Sequence, residues 1–510
     1  MTDQVSSEIW SLSITSGGIG AVAMSLDAHY RAFFEPVDTK EPLLWSDAAC
    51  FYRTVATLLD ALGDHGGLPL AICLSSCPTA CFVDRRGQAR GPIYLDSPYP
   101  MPRRDVPACF SDDPELFSIY RNSLMRRLHN ISPGTDAQSL GLSTAAGCLI
   151  RALTGTHVDV STPIGTPDAY PWAYHEHREM YFRALGVHAS DSVGRVRAGH
   201  AIATVSEAEP LLDEAMPLEA WRHRLMGIPI YHTGSATASA AYATAADPLS
   251  WSCVFGWSAS AHWTASGTAC SAYEITVSDS SSATPDASLS EASTKDRSRD
   301  AWTCHLSTVL PLHSIYGARR HDLAYGLRTP SYRIFPVTAS FAQTHDRFVS
   351  LSGIKPRFAE DLLSLAPTGS AGLHLWPGDD TIHMAGCRAS HSAAHYLRAT
   401  LESMAYTIKA WRDMTGVEGL GPVRALFEPP WDISCAQIIS DILNTTVITP
   451  DLNFATAAAI GSAIALLRDL KIAEPDARPH LDAYEVTPSP SAVIYAAHAQ
   501  IHALLSGTQT

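Results

Sequence analysis

Residues 9–26 read IWSLSITSGGIGAVAMSL, and this stretch has the pattern of a β-hairpin. Ile9 to Ile14 and Ile19 to Leu26 are apolar runs, and Ser16-Gly17-Gly18 forms the bend between them. Two short apolar runs separated by a glycine-containing turn predict two paired strands. We therefore expect the chain to open with a buried hairpin.

A helix and a second pair of strands follow the hairpin. Ala48 to Leu62 carries apolar residues at helical spacing, and Gly63 closes the run, which predicts a helix. Residues 70–74 and 80–84 are short apolar runs that we expect to be strands. Strands, a helix and further strands in this order indicate an α/β domain with a mixed sheet. Further helices are predicted over residues 144–153, 176–185, 207–216 and 218–226, and a strand over 228–231.

The second half of the chain repeats the α/β alternation. Periodicity predicts helices over residues 390–414, 433–443 and 455–470, with strands over 251–255, 262–264, 423–427 and 447–448. We therefore expect an α/β fold of two domains, residues 1–248 and 249–510, with a central cleft where small ligands usually bind. Residues 278–300 are rich in Ser, Thr, Ala, Asp and Lys without an apolar period, which predicts a flexible surface insertion in the second domain.

Composition excludes several classes of function. The 510 residues carry 36 Lys and Arg against 51 Asp and Glu, a net charge of −15, so a dedicated nucleic-acid binder is not expected. Hydrophobic residues make up 46% of the chain, enough for a large core. The sequence has no run of 18 apolar residues and no basic and apolar leader, so we expect a cytoplasmic protein without a membrane span.

Cysteine and histidine patterns give no strong metal signal. The 11 cysteines are scattered, which indicates reduced, buried thiols. Cys73, Cys77 and Cys81 recur at even spacing, but Pro78 interrupts the run and no zinc-type Cys-x₂-Cys pair is present. The pairs His175/His177 and His391/His395 have spacings that a metal could use, but neither has an identifiable third ligand. We predict no metal site.

Motifs along residues 9–470 resemble, in their order, those of the FGGY carbohydrate kinases, the family of xylulokinase and glycerol kinase. The resemblance implies two ribonuclease-H-like (actin-type) domains that close on ATP and a sugar or polyol. The stretches that carry it are Val83-Asp84 with Gly87, Ile93 to Asp96, Leu153-Thr154-Gly155 with Asp159, Gly227 to Ile230, Gly369 to Gly372 with Trp376-Pro377, Arg398 to Glu402, and Gln437 with Ser440-Asp441 and Gly461.

The nucleotide positions depart from the family pattern. The family's first hairpin carries Asp-x-Gly-Thr-Thr/Ser, whose Asp organises Mg²⁺, whereas the matching residues here are Thr15, Ser16, Gly17, Gly18 and Ile19. The second phosphate loop, Gly-Thr-Ser in the family, is Gly256-Trp257-Ser258. The adenosine loop, Gly-Gly-Gly-Ala in the family, aligns with Phe427-Glu428-Pro429-Pro430, where Pro removes N–H donors and Glu repels phosphate.

The catalytic base of the family is the Asp of a Gly-x-x-Asp segment, and it is absent as well. Here Ser235 or Ala236 stands at that position, and neither is a carboxylate. His232 is the weak alternative base, since a lone histidine is more often simply packed. On the sugar side Asp96 matches the family acid that faces the substrate, and Trp45 could line a pocket, although both residues also fit ordinary surface loops.

Three functions fit this pattern. The first is a divergent kinase-like protein with lost or very weak phosphotransfer, which binds a sugar, a polyol or a protein partner. The second is an active sugar or polyol kinase with displaced catalytic groups, for which ATP and Mg²⁺ would be the cofactors. The third is a fold recruited to another small-molecule reaction. A homodimer is compatible with all three.

Overall fold

The computed structural model describes the following parts of the chain: residues 8–15, 17–37, 44–45, 47–64, 67–77, 79–84, 89–95, 141–156, 203–206, 211, 213–244, 249–255, 259–265, 332–336, 362–377, 382–414, 422–427, 433–470, 472 and 479–506. The helix expected over 176–185 and the insertion expected over 278–300 lie outside these residues.

The secondary structure alternates strands and helices along the whole described chain. The strands are β1 (Glu8–Ile14), β2 (Gly18–Ser25), β3 (Tyr30–Pro36), β4 (Leu44–Trp45), β5 (Ala71–Ser76), β6 (Thr79–Val83), β7 (Ala89–Leu95), β8 (Gly141–Ser143), β9 (Ala203–Thr204), β10 (Pro229–Ser235), β11 (Leu249–Phe255), β12 (Ala259–Ala265), β13 (Tyr332–Pro336), β14 (His374–Pro377), β15 (Ile382–Ala385), β16 (Val423–Phe427), β17 (Val447–Pro450) and β18 (Ala483–Val486). The α-helices are α1 (Ala48–Gly63), α2 (Ala145–Thr154), α3 (Glu219–Arg224), α4 (Ala236–Thr244), α5 (Ala393–Met414), α6 (Ala436–Leu443), α7 (Phe454–Asp469) and α8 (Ala492–Ser506).

One six-stranded sheet is built from the first half of the chain in the order β3-β2-β1-β5-β10-β9. β1, β2 and β3 are antiparallel neighbours, and Ile14 pairs with Ile19 at the predicted hairpin turn. β5 runs parallel to β1 and β10 parallel to β5, while β9 is antiparallel to β10. The hairpin and the mixed α/β sheet predicted from the sequence are therefore confirmed.

A second six-stranded sheet has the order β13-β12-β11-β16-β17-β18. β11, β12 and β13 are antiparallel neighbours, and β16 and β17 follow in parallel with β11. β18 closes the sheet antiparallel to β17. The strand directions thus repeat those of the first sheet, strand for strand. The described residues also form two smaller sheets, β4-β7-β6-β8 and β14-β15.

The two helices against one face of the first sheet, α1 and α2, begin at residues whose side chains cap the helix, and α2 ends at a glycine. Asp47 caps α1 by accepting a hydrogen bond from the Cys50 amide at 2.6 Å, and Thr144 caps α2 through the Gly147 amide at 2.9 Å. Gly155 ends α2 in the left-handed conformation, with φ 71°. The apolar faces of both helices join Trp10 and Leu74 in one buried core.

The opposite face of the first sheet is covered by α7, which comes from the second half of the sequence. Ile9 and Cys73 share a buried cluster with Ile460 and Leu466 of α7. Gly20 permits the contact, because a Cβ there would lie 2.4 Å from the carbonyl oxygen of Ala455. The two halves of the chain are therefore joined through α7.

Two sequence predictions need correction. The strand expected over 228–231 continues to Ser235, and α4, which was not predicted, begins at Ala236. The helix expected over 207–216 is a 3₁₀ segment, Asp213–Leu218, in its described part, and Pro217 lies inside it. The strand β3 and the helix α8 were not predicted; β3 has alternating partial exposure and α8 carries no charged residue.

Candidate functional site

The carboxyl ends of β1, β5 and β10 lie side by side at one edge of the first sheet. Ser76 pairs with Ile14 on one side and with Ser235 on the other. The next residues along these strands are Thr15, Cys77 and Ala236. Ligands of open α/β sheets bind beyond the carboxyl ends of parallel strands, so this edge is the candidate site. It brings together two of the regions predicted from sequence, the hairpin turn and the Ser235-Ala236 position.

Thr15 closes the hairpin turn with its own side chain. Its amide and its Oγ1 both donate to the Gly18 carbonyl oxygen, each at 2.9 Å, and the residue is buried. Gly18 has φ +148°, and a Cβ there would lie 2.3 Å from the carbonyl oxygen of Glu35. The turn is therefore fixed by packing against β3 and by a neutral hydroxyl, with no carboxylate at Thr15.

The Ser235-Ala236 position is the junction between β10 and α4. Ala236 is completely buried and packs with Leu426 and Phe454 of the second half of the chain. A side chain at this junction therefore meets residues from both halves. A methyl group at Ala236 can neither accept a proton nor bind a cation.

Two serines on β5 add hydroxyl groups to the same edge. Ser75 and Ser76 are fully buried, and their Oγ atoms have no hydrogen-bond partner within the described part of the chain. Ser75 pairs with Ser13 of β1 and with Gly234 of β10. Buried hydroxyls without a protein partner are rare and call for a water or a ligand. The sequence reasoning missed these residues, although a Ser-Ser pair directly after an apolar strand was a usable signal.

His232 is buried within β10 rather than placed at the strand end. It pairs with Leu74, whose side chain belongs to the core beneath α1 and α2. Burial lowers the pKa of His232 to about 3. An imidazole with so low a pKa is neutral at pH 7 and is a weak proton acceptor.

The remaining predicted site residues are described only in part. In the second sheet β11 and β16 are parallel, and Phe255 pairs with Phe427 at their carboxyl ends. Trp45 pairs with Ile93 between β4 and β7. The other predicted positions, Asp96, Gly256, Trp257, Ser258, Glu428 and Pro429, lie outside the described residues.

The described edge does not fit Mg²⁺-ATP. Mg²⁺ prefers carboxylates and phosphate oxygens, and Thr15, Ser76 and Ala236 supply no carboxylate. In the described part of the chain, no three His, Cys, Asp or Glu side chains are placed to hold a metal ion.

The chain shares its fold with solved carbohydrate kinases. It is similar to a gluconate kinase from Lactobacillus acidophilus, with 11% identity, 98% of each chain covered and a TM-score of 0.59. It is also similar to a xylulose kinase from Rhodospirillum rubrum, with 16% identity, 98% of each chain covered and a TM-score of 0.56. A glycerol kinase from Plasmodium falciparum, solved with ADP, matches with 13% identity, 99% of each chain covered and a TM-score of 0.55.

The structural comparison found related folds, but the sequence comparisons found no match. No protein-family model matches the chain, and no curated protein matches its sequence. Identities of 11–16% show a common fold and nothing further. The expectation of an FGGY carbohydrate kinase fold is thus confirmed. Among the described helices, none has the length and apolar character to cross a membrane.

Proposed function

We propose that this chain is a carbohydrate-kinase-fold protein that binds a sugar or polyol and has lost, or nearly lost, ATP-dependent phosphotransfer. The proposal divides the chain into two ribonuclease-H-like domains, residues 1–248 and 249–510, each built on one of the six-stranded sheets. The repeated strand order and strand directions of the two sheets support this division.

One observation carries the loss of phosphotransfer. The two positions at which the resemblance expects carboxylates, Thr15 and Ser235 or Ala236, lie at the ends of β1 and β10, the two strands that flank β5 in one sheet, and both are neutral. Phosphoryl transfer depends on positioned charge, with the metal ions neutralising the phosphates. Without the catalytic base the rate falls by roughly 10²–10⁴. The low pKa of His232 argues against its taking over that role.

The same edge suits a neutral, hydroxyl-rich ligand. The Oγ atoms of Ser75 and Ser76 can each donate and accept a hydrogen bond, as the hydroxyls of a polyol can. Their full burial means that a ligand must reach them by an opening of the two halves or through an ordered water. A ligand held in this way needs no metal ion and no charged side chain.

Calorimetric titration tests the proposal. The purified chain is titrated with Mg²⁺-ATP and then with a panel of pentuloses, hexoses and polyols. We expect saturable heat with at least one sugar or polyol and none with the nucleotide. A coupled assay for ADP release on the same panel, with an active xylulose kinase in parallel, should stay at background. Saturable nucleotide binding or ADP release above background would refute the proposal.

Two serine variants locate the ligand. Ser76→Ala removes a buried hydroxyl at the strand end, and we expect sugar affinity to fall by up to roughly tenfold, as for one lost hydrogen bond. Ser143→Ala is the matched control, because Ser143 is also buried with an Oγ lacking a partner in the described residues, but it lies on β8 in another sheet. Equal affinities for the two variants would place the ligand elsewhere.

A further inference from the structure

Two buried thiols face each other where α2 lies on β6. Cys81 belongs to β6 and Cys148 to α2, and their Sγ atoms are 2.9 Å apart. Their exposed fractions are 0% and 1%, and neither takes part in a disulfide. A disulfide bond is about 2.05 Å long, so a displacement of about 0.9 Å would bring the two sulfurs to bonding distance.

The packing of α2 on β6 holds this pair in place. Thr79 and Cys81 are two positions apart on the strand, so they lie on one of its faces. Ala145 and Cys148 are three positions apart on the helix, so they too lie on one face. The Thr79 Oγ1 accepts a hydrogen bond from the Ala145 amide at 2.9 Å. The helix is therefore fixed to the strand by this bond, and the two thiols meet beside it.

The thiol pair lies in line with residues that the sequence predicts on the sugar side. Cys81 pairs with Ile93 of β7, and Ile93 pairs in turn with Trp45 of β4. Asp96 is the residue that follows β7 in the sequence. A covalent bond at Cys81 would therefore constrain the sheet that carries Trp45 and leads to Asp96.

A two-electron oxidation joins the two sulfurs. Hydrogen peroxide converts one thiol to a sulfenic acid and releases one water, and the second thiol then displaces the hydroxyl group as a second water. Two S–H bonds and the O–O bond break, one S–S bond forms, and the peroxide oxygens gain the two electrons that the sulfurs lose. A thiol only 2.9 Å away captures the sulfenic acid before peroxide oxidises it further. Because both thiols are buried, the peroxide reaches them only when α2 and β6 separate locally, so the reaction is slow.

We propose that Cys81 and Cys148 form a reversible disulfide that locks α2 onto the sheet β4-β7-β6-β8 under oxidising conditions. The disulfide closes a loop around 66 intervening residues, 82–147. A crosslink around a loop of this length restricts the unfolded chain, so the oxidised protein is the more stable form. The disulfide requires no ligand and no phosphotransfer, so it stands or falls independently of the proposed function.

Peptide mapping of the wild-type chain tests the crosslink. The native chain is treated with hydrogen peroxide, the remaining thiols are blocked with iodoacetamide, and the chain is digested with trypsin. The disulfide should join the tryptic peptides 54–85 and 128–151, of which the second contains a single cysteine. The first also contains Cys73 and Cys77, so fragment ions should place the link on Cys81 rather than on either of these.

Thermal unfolding tests the effect of the crosslink on stability. Peroxide should raise the melting temperature of the wild type by roughly 5–15 °C, and dithiothreitol should reverse the rise by reducing the disulfide to two thiols. Cys148→Ala should show no such rise. Cys73→Ala is the matched control, because it removes another fully buried thiol and keeps the pair, and it should respond to peroxide as the wild type does.

Three results overturn the proposal. They are the absence of a link between Cys81 and Cys148 in the native wild type after peroxide treatment, a linked chain whose melting temperature is unchanged or lower, and an equal rise in Cys148→Ala. If Cys148→Ala does not fold, peptide mapping and thermal unfolding of the wild type with and without dithiothreitol still decide the question, because they use no variant.

Discussion

Replacing Gly461 by alanine tests how closely α4 and α7 approach each other. A Cβ at Gly461 would lie 1.7 Å from the carbonyl oxygen of Ser239 and 3.1 Å from the amide nitrogen of Ala243. Both atoms belong to the backbone of α4, so no side-chain rotation can relieve the contact. The two helices must move apart, or one of them must bend.

The expected loss follows from two opposing effects. Alanine is a better helix residue than glycine by about 1 kcal/mol, so without a clash the variant would be more stable. A carbon 1.7 Å from an oxygen needs a displacement of about 1.5 Å, and overpacking of a tight interior costs roughly 1–3 kcal/mol or more. We expect a net loss of about 2 kcal/mol, which corresponds to a fall in melting temperature of roughly 4–8 °C. A fall in stability would show that the steric clash dominates, and a rise would show that the helix propensity of alanine dominates.

Thermal and urea unfolding of Gly461→Ala measure the loss. Ser239→Ala provides the control, because it removes the 3.1 Å hydrogen bond from Ser462 Oγ but leaves the Ser239 carbonyl in place. The double variant should show no rescue, because the Ser239 carbonyl that meets the new Cβ is unchanged. A melting temperature equal to or above that of the wild type in Gly461→Ala would refute the reasoning. Sugar binding should weaken too, because α4 begins at Ala236, beside the strand ends.

Three further outcomes follow from buried polar groups. Cys81 and Cys148 are buried with 2.9 Å between their sulfurs, and they should form a disulfide when oxidised glutathione takes up their two hydrogens. Peptide mass spectrometry detects this disulfide. Cys73 should stay reduced, because burial raises the pKa of its thiol to about 12. Glu402→Ala should lower the free energy of unfolding in urea by about 3–5 kcal/mol, because it leaves Arg398, which is 12% exposed, without its carboxylate partner. The control Glu8→Ala breaks a more exposed ion pair with Arg31 and should lower it by less than about 1 kcal/mol. Burial lowers the pKa values of His374 and His502 to about 4, below the unfolded value near 6.5, so the unfolded chain binds more protons than the folded chain between pH 4 and pH 6.5. The free energy of unfolding should therefore fall by up to about 1.4 kcal/mol per pH unit for each histidine as the pH is lowered from 6.5 towards 4. The variant His502→Gln should reduce this slope.

Sequence patterns predicted the parts of the fold that have strong local signals. The hairpin, the helix after Asp47 and the stripe of Leu397, Leu401 and Met404 on α5 are buried as their spacing indicated. Gly155 ends a helix at the position where a left-handed residue was needed. In each case an apolar period and a cap or turn residue agree, so local and tertiary preferences point to the same structure.

The missed elements lack that agreement. α4, with the sequence ATASAAYAT, has almost no apolar period because its residues are small, and only its fit against α7 makes it a buried helix. β3 has partly exposed residues throughout, as an edge strand does, and so shows no buried run. α8 presents apolar residues to solvent, so its pattern did not separate a buried face from an exposed one.

The position of the candidate site could be predicted from the sequence, but its chemistry could not. Thr15 and Ala236 carry no chemical signal of their own, and interest in them comes only from the resemblance, which leads us to expect carboxylates at these positions. Packing makes demands at Gly20 and Gly461, where a single Cβ would collide with a neighbouring backbone whatever the ligand. No such demand exists for an acid at Thr15, because a hydroxyl bonded to the Gly18 carbonyl closes the turn. The fold therefore places a steric requirement on Gly20 and Gly461, whereas its hairpin turn forms without a carboxylate at Thr15.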